Sequence, residues 1–97
     1  MEIKVINPNE ITISGNIKTV SDYLEIKGTI SSLLKDGGKE LAVSLPDSVS
    51  ITSSVIGYFL KLVYQDGVKL RVLVGDQRLA KLLEDLRLAE AFCVGKV

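Results

Sequence analysis

Three consecutive hydroxyl side chains, those of Thr52, Ser53 and Ser54, are the residues of this sequence best placed to do chemistry. They follow a polar turn that contains Pro46 and Asp47, and they precede an almost wholly apolar segment with helical spacing. Hydroxyls at a helix N-terminus lie among unpaired backbone N–H groups and at the positive end of the helix dipole, where a phosphate is stabilised. The pattern therefore favours two interpretations: a phosphorylatable serine, or a helix cap formed by Thr52 or Ser53 that contributes about 1 kcal/mol.

Residues suited to other kinds of catalysis are sparse. The 97 residues include no histidine, which removes Ser-His and Cys-His nucleophile pairs and the usual zinc sites. No glycine-rich phosphate loop is present, and the acidic residues are scattered through predicted caps and turns. These acids are Asp22, Glu25, Asp36, Asp47 and Asp66. We therefore expect no enzymatic activity, no metal and no cofactor.

The single cysteine, Cys93, excludes an intrachain disulfide and is expected to be a small apolar filler. Such sparing use of cysteine is typical of the reducing cytosol. The N-terminal stretch is too short and too charged for a signal peptide, and no apolar run approaches the length that spans a bilayer. A cytoplasmic protein without membrane insertion is expected.

Charge and composition narrow the class of partner. The 12 basic and 12 acidic residues give a formal net charge of zero. A balanced charge argues against direct binding to nucleic acid or to an anionic membrane, since both require a large positive field. With 46% hydrophobic residues the chain is expected to fold, and its length predicts one domain over residues 1–97.

Hydrophobic periodicity predicts strands and helices in alternation. The predicted elements are strands over 2–6 and 10–14, a helix from about Val20 to Lys35, a strand over Leu41–Leu45, a helix over Ser53–Gln65, a strand over Val68–Val74, a helix capped by Asp76, a helical turn over 88–92 and a short last strand at Cys93-Val94. Asn7-Pro8-Asn9 predicts an opening hairpin, and helices between strands imply parallel pairing. The predicted fold class is α/β, with a mixed, mostly parallel sheet of four to five strands and helices packed against it.

The second predicted helix is apolar around most of its circumference. Its wide apolar arc contains Val55, Ile56, Phe59, Leu60, Leu62 and Val63. We expect the narrow polar arc to be exposed, and it contains Ser54, Gly57, Tyr58, Lys61 and Gln65. An exposed tyrosine just beyond Ser53 is either a binding anchor or a ring that lies along the surface without a partner.

Three stretches together carry a resemblance to a known family. They are Ser14-Gly15-Asn16-Ile17, Ile51-Thr52-Ser53-Ser54-Val55-Ile56-Gly57, and Leu82-Leu83-Glu84-Asp85-Leu86-Arg87-Leu88 followed by Phe92. In this order, and with these strand and helix types, the chain resembles the STAS domain of bacterial anti-sigma factor antagonists. The resemblance implies a STAS-like single domain.

The resemblance also implies a function. In this family a partner serine kinase, which is itself an anti-sigma factor, phosphorylates the first serine of the second stretch. The unphosphorylated protein binds that kinase and releases the sigma factor. The matching residue here is Ser53, and Ser54 matches a second position that is modified less often.

The sequence departs from the family around this serine. Thr52 stands in place of the usual aspartate, Val55 in place of a glycine, and Asn16 and Lys18 at positions that are often acidic. Lys18 either pairs with a phosphate on Ser53 or is solvated. The expected partner contacts are Asn16, Lys18, Thr52, Ser53, Ser54, Val55, Gly57, Tyr58 and Lys61.

A second function of a different class is compatible with the same resemblance. A STAS accessory subunit of a membrane lipid-transport ABC complex binds the ATPase of that complex without a phosphorylation cycle. A serine kinase or sigma factor encoded nearby favours the regulator, whereas transporter genes favour the subunit. The oligomeric state and the identity of the partner are left open by the sequence.

Overall fold

Five strands and three helices alternate along the chain in the computed structural model, which describes all 97 residues. The strands are β1 (Glu2–Asn7), β2 (Glu10–Ser14), β3 (Glu40–Leu45), β4 (Lys69–Val74) and β5 (Gly95–Lys96), and the helices are α1 (Val20–Leu33), α2 (Ser53–Tyr64) and α3 (Gln77–Asp85). β1 and β2 form an antiparallel hairpin, and the other three neighbouring pairs are parallel. The result is a compact α/β domain with a mixed sheet whose strands lie in chain order from β1 to β5.

The predicted elements occur in the predicted order, and most ends differ by no more than two residues. The first helix ends at Leu33 rather than Lys35. Leu34 closes it by donating its N–H to the carbonyl of Ile30 at 3.0 Å, and the chain then turns towards Gly37, which has a φ of 88°. Glycine adopts this left-handed geometry without strain, as expected for a residue that follows a helix.

The last strand lies two residues later than predicted, at Gly95–Lys96. A turn occupies the preceding residues, and within it Phe92 donates its N–H to the carbonyl of Leu88 at 2.9 Å. The prediction that Cys93 is a buried filler is wrong, because the turn places Phe92 in the core and leaves Cys93 exposed with a φ of 46°.

All three helices cover the same face of the sheet. Strands β2 to β5 are parallel neighbours in chain order, so right-handed crossovers place every connecting helix on one side. The buried side chains of the central strands alternate accordingly and are Ile11, Ile13, Leu41, Val43, Leu45, Leu70, Val72 and Val74. The opposite face carries polar or small side chains, such as Thr12, Ala42 and Arg71.

Helix α2 crosses between β3 and β4 and therefore lies between the other two helices. Its side chains Val55, Phe59 and Leu62 are almost fully buried. Phe59 meets Phe92 edge to face, with ring centroids 5.8 Å apart and an interplanar angle of 82°. Such a pair adds about 0.5–1.5 kcal/mol beyond the burial of its area. The N-terminus of α2, which carries the three hydroxyls, is thus held by a packed core.

Candidate functional site

The candidate site lies at the end of the sheet that is formed by the carboxyl ends of β2, β3 and β4. The loop after β2 leads into α1, the loop after β3 leads through Thr52 into α2, and the loop after β4 leads through Asp76 into α3. The carboxyl ends of parallel strands and the N-termini of the following helices meet at this end of the sheet. The fold therefore places Ser53 and Ser54 at the same end of the sheet as the loops that follow β2 and β4.

Hydrogen bonds between side chains and backbone join the first two of these loops. The N–H of Gly15 donates to Asp47 Oδ1 at 2.7 Å, and the buried Ser48 Oγ donates to the carbonyl of Gly15 at 2.6 Å. Asn16 Oδ1 accepts from the N–H of Val49 at 2.9 Å. Asn16, predicted as a partner contact, therefore uses its amide oxygen to bind the neighbouring loop. Asp47 and Ser48 are structural residues that the sequence pattern did not indicate.

Gly75 holds the β3 loop from the other side. Its N–H donates to the carbonyl of Leu45 at 3.0 Å. A Cβ at Gly75 would lie only 2.1 Å from the carbonyl oxygen of Pro46, a backbone atom that cannot rotate away. Only glycine allows this close approach, and the loop that leads to Thr52 is fixed on both flanks as a result.

Thr52 is the N-cap of α2. Its backbone is extended (φ −83°, ψ 156°), and its Oγ1 accepts a hydrogen bond from the N–H of Val55 at 3.3 Å. Of the two capping candidates, Thr52 and Ser53, the structure shows Thr52 in this role. Ser53 and Ser54 are exposed, and their hydroxyls make no hydrogen bond within the chain. Their backbone N–H groups lie in the first turn, where a helix offers no acceptor.

Two of the predicted partner contacts are buried. Val55 is fully buried beneath the first turn of α2. Tyr58 is only 6% exposed, its phenolic oxygen lies 3.2 Å from the Ser31 hydroxyl, and its ring meets Tyr23 edge to face at 6.5 Å. The prediction that Tyr58 is exposed is therefore wrong, because α1 packs against that flank of α2. Neither side chain is available to a partner in this conformation.

Gly57 and Lys61 are exposed, as predicted for the polar arc of α2. The Lys61 ammonium lies 3.6 Å from Asp66 Oδ2, and the two side chains are 51% and 42% exposed. An ion pair this open contributes little to stability. Lys61 therefore remains free to contact another molecule.

Lys18 is exposed and has no carboxylate within ion-pair distance. Its backbone N–H donates to Asp22 Oδ2 at 2.9 Å, and the N–H of Thr19 donates to the same oxygen at 3.2 Å. Thr19 Oγ1 accepts in return from the N–H of Asp22 at 3.0 Å, which completes a capping box at the start of α1. The hydrogen bonds from the backbone of Lys18 and then Thr19 lower the pKa of Asp22.

Asp76 caps α3 at the same end of the sheet. Its Oδ1 accepts from the backbone N–H of Arg78 at 2.8 Å, and the Arg78 guanidinium donates to both carboxylate oxygens at 3.0 and 2.8 Å. These side-chain hydrogen bonds lower the pKa of Asp76 to about 2. Asp22, Asp47 and Asp76 thus all accept backbone hydrogen bonds, whereas the serine hydroxyls of α2 are free.

Val20 and Leu24, which the sequence pattern did not indicate as site residues, form an exposed apolar pair on α1. They are 71% and 57% exposed. With Lys27 and Ser31 they follow helical spacing along one flank of α1, and Ser31 contacts Tyr58, so this flank faces α2. The signal available in the sequence was two apolar residues outside the buried arc of α1.

The facing flank of α2 has the same spacing. It carries Ser54, Tyr58, Lys61 and Gln65, and Tyr58 fills the contact between the two helices. We call the exposed strip formed by Val20, Leu24 and Lys27 of α1 with Ser54 and Lys61 of α2 the α1–α2 surface. It begins at the N-termini of both helices and combines apolar, hydroxyl and cationic groups.

A separate cleft of about 680 Å³ lies at the opposite end of the sheet. It is bordered by the amino ends of β3 and β4 and by Cys93. No group of three or more Cys, Asp or Glu side chains comes together in a way that could hold a metal ion. None of the helices combines the length and apolar character needed to cross a bilayer.

A scan against protein-family models found no match, and searches of curated proteins and of solved structures likewise found none. The physical basis for assigning a function is therefore the candidate site at the carboxyl ends of β2, β3 and β4. It offers two free serine hydroxyls at a capped helix N-terminus, next to the α1–α2 surface.

Proposed function

We propose that this chain is a STAS-like regulatory protein, related to anti-sigma factor antagonists, that binds a partner anti-sigma factor or serine kinase. The partner docks on the N-terminal turn of α2 and on the α1–α2 surface. Phosphorylation of Ser53 switches the binding off. Ser54 is the second candidate for modification.

The observation that carries this function is that Thr52, and not Ser53, caps α2. Thr52 caps α2 through its own hydroxyl, so Ser53 is not needed for capping. The Ser53 hydroxyl is exposed and unbonded at the first helical position. A kinase can therefore modify it without breaking a hydrogen bond of the fold.

The electrostatics of the helix terminus favour a switch that changes binding and preserves folding. A phosphoserine carries about −1.5 to −2 charges at neutral pH. At Ser53 this charge faces unpaired N–H groups and the positive end of the α2 dipole, so the helix tolerates it. A partner that contacts both the first turn of α2 and the α1–α2 surface would meet this charge, and burying a charge against apolar side chains is costly.

The composition of the α1–α2 surface supports a protein as the partner. Val20 and Leu24 provide apolar area, while Lys27 and Lys61 provide cationic groups at its margin. Apolar anchors surrounded by polar groups are typical of protein interfaces. The order of an opening hairpin followed by alternating helices and strands further agrees with the resemblance.

Phosphorylation by the serine kinases encoded near the gene tests the switch. The wild-type chain is incubated with each kinase and ATP, and the products are analysed by intact mass and peptide mapping. We expect one phosphate on wild type and none on Ser53→Ala. Ser50→Ala is a matched control, since Ser50 is exposed in the same loop but precedes the cap, and this variant should be modified normally. Unmodified wild type with every such kinase would refute the switch.

Binding by the docking surface is tested separately by isothermal titration with the same kinases. Val20→Asp should weaken binding by about tenfold or more, which corresponds to a loss above ~1.4 kcal/mol. An acidic residue in the first turn of a helix is favourable, so α1 should remain folded. Val97→Asp changes a valine that is also well exposed, 64% against 71% for Val20, and should bind like wild type. Equal affinities for Val20→Asp and wild type would remove the α1–α2 surface from the interface.

The alternative function is that of an accessory subunit of a membrane lipid-transport ABC complex. Thr52 and Lys18 favour it, because they stand where the family has acidic residues around the serine that matches Ser53. Such a subunit binds an ATPase through the same surface and needs no phosphate. Binding to a transporter ATPase that is insensitive to Ser53→Ala but weakened by Val20→Asp would favour the subunit over the regulator.

A further inference from the structure

Strand β1 is an open edge of the sheet. It pairs with β2 on one side only, and β2 is the element on which it packs. Every residue of Glu2–Asn7 except Ile3 is exposed, and Val5 and Ile6 are 50% and 51% exposed. The backbone N–H and C=O groups along its outer side are therefore available to another strand.

The opposite edge of the sheet is different in kind. β5 contains only Gly95 and Lys96, and a two-residue edge offers little to a partner strand. β1 has six residues, and apolar side chains on an uncovered edge of that length are a feature that soluble proteins usually avoid. This contrast makes β1, rather than β5, the edge suited to pairing with another strand.

The charges of β1 identify a second copy of β1 as the occupant. An antiparallel pair centred on Ile3 places Glu2 of each strand opposite Lys4 of the other, which creates two cross-strand ion pairs. Centring on Lys4 instead would oppose two ammonium groups, and centring on Val5 would oppose Lys4 and Ile6. Only the first register is self-complementary.

The shape of β1 selects the same register. The pairing of β1 with β2 shifts between Val5 and Asn7, so the regular part of the strand ends at Val5. A pair centred on Ile3 uses residues 1–5 and stops before this irregularity. Ile3 then faces its own copy, and Val5 faces Met1, on the side of the sheet that carries the helices.

We propose that two copies of this chain pair through β1 in that register and form one continuous ten-stranded sheet. The twofold axis is perpendicular to the sheet, so the helices of both copies lie on the same face. The two Ser53 sites then point in opposite directions and stay accessible, and this assembly is independent of the function proposed above. A strand pair of this length buries less than the ~1,600 Å² of a standard interface, so the dimer is weak and depends on concentration.

Sedimentation velocity of the full chain over about two orders of magnitude in concentration tests the assembly. We expect wild type to pass from monomer to dimer within that range. Glu2→Lys and Lys4→Glu each turn two attractive pairs into repulsive ones and should weaken dimerisation by about tenfold or more. Glu84→Lys, on the exposed face of α3, is the control and should dimerise like wild type.

Two charge-swap experiments test the register directly. The double variant Glu2→Lys/Lys4→Glu restores opposite charges in the proposed register and should dimerise like wild type. A mixture of the two single variants places two lysines opposite two glutamates, so native mass spectrometry should show heterodimers. A monomeric wild type over the whole range, a double variant as weak as the single ones, or a mixture without heterodimers would each overturn the pairing. Circular dichroism verifies that every variant is folded.

Discussion

The Ser31 hydroxyl of α1 lies 3.2 Å from the phenolic oxygen of Tyr58 on α2. The Tyr58 ring is 6% exposed and meets Tyr23 of α1 edge to face. Tyr58 therefore ties together the two helices whose N-termini border the candidate docking surface. Its role is to fix the relative positions of α1 and α2, which carry the α1–α2 surface.

Tyr58→Phe should lower the free energy of unfolding by about 0.5–1.5 kcal/mol, since it removes one partly buried hydrogen bond and keeps the ring. Affinity for the partner should be unchanged. Urea denaturation measures the first quantity and isothermal titration the second. The control is Tyr64→Phe, because Tyr64 is 72% exposed and its hydroxyl makes no hydrogen bond within the chain. A large loss of affinity in Tyr58→Phe with unchanged stability would mean that Tyr58 itself contacts the partner.

The error over Tyr58 has a simple physical origin. A period of 3.6 residues tells which side chains share an arc of a helix, but not which neighbouring element covers that arc. For α2 the apolar arc correctly indicated Val55, Phe59 and Leu62 as core, and Thr52 was correctly among the capping candidates. Which flank of the helix meets α1 is a tertiary property, and it decided the burial of Tyr58.

The hydrogen bonds that shape the site were inaccessible to sequence reasoning for a related reason. Gly15 is bonded to Asp47 and Ser48, which lie 32 and 33 positions away in the chain. Turn and cap signals act over three or four residues, as in the capping box of Thr19 and Asp22. Contacts between loops depend on the strand order, which brings β2 and β3 side by side.

Thr52→Ala should destabilise the protein by about 1 kcal/mol, because α2 loses its N-cap. Ser53→Ala should change the free energy of unfolding by less than about 0.5 kcal/mol, since the Ser53 hydroxyl is exposed and unbonded. Thermal and urea unfolding of both variants measure this difference. A loss in Ser53→Ala equal to that in Thr52→Ala would show that Ser53 shares the capping role, and the case for a free hydroxyl would fail.

Ser48→Ala should destabilise the protein by about 1–3 kcal/mol, because the partly buried carbonyl of Gly15 loses its hydrogen-bond donor. The Ser48 side chain is fully buried, and its Oγ donates at 2.6 Å. Ser50→Ala serves as the matched control, since Ser50 lies in the same loop and is exposed. Urea denaturation of the two variants should separate them, and equal stabilities would mean that the bond between the loops contributes little.

Gly75→Ala should be strongly destabilising, by roughly 1–3 kcal/mol or more, since the new Cβ would overlap the carbonyl oxygen of Pro46. Gly28→Ala gives the opposite expectation. Gly28 lies inside α1, and a Cβ added there would meet no neighbouring atom within 4 Å, so alanine should stabilise the protein by up to about 1 kcal/mol. Unfolding midpoints of both variants test the pair, and a neutral Gly75→Ala would show that the β3 loop moves freely.

Acid should destabilise the protein through the capping carboxylates. The pKa of Asp76 is lowered from 3.8 to about 2, and that of Asp22 is lowered as well. A carboxylate whose pKa is lower in the folded state contributes stability above its unfolded pKa, and that contribution disappears as the pH falls through its folded pKa. For Asp76 this window runs from about pH 3.8 down to about pH 2. The free energy of unfolding should therefore fall across that range.

Asp76→Asn should flatten this decline, because an amide does not titrate and the pKa difference between folded and unfolded chains vanishes at that position. The variant should also be less stable than wild type at neutral pH, since the guanidinium of Arg78 loses its charged partner. Asp36→Asn is the control, because Asp36 is exposed in the turn after α1 and accepts no side-chain hydrogen bond. Urea denaturation at closely spaced pH values measures the slopes. Arg78→Gln should also flatten the fall in the free energy of unfolding, because the side-chain hydrogen bonds from Arg78 lower the pKa of Asp76. If the free energy falls as steeply in both variants as in wild type, the Asp76–Arg78 contact is not its cause.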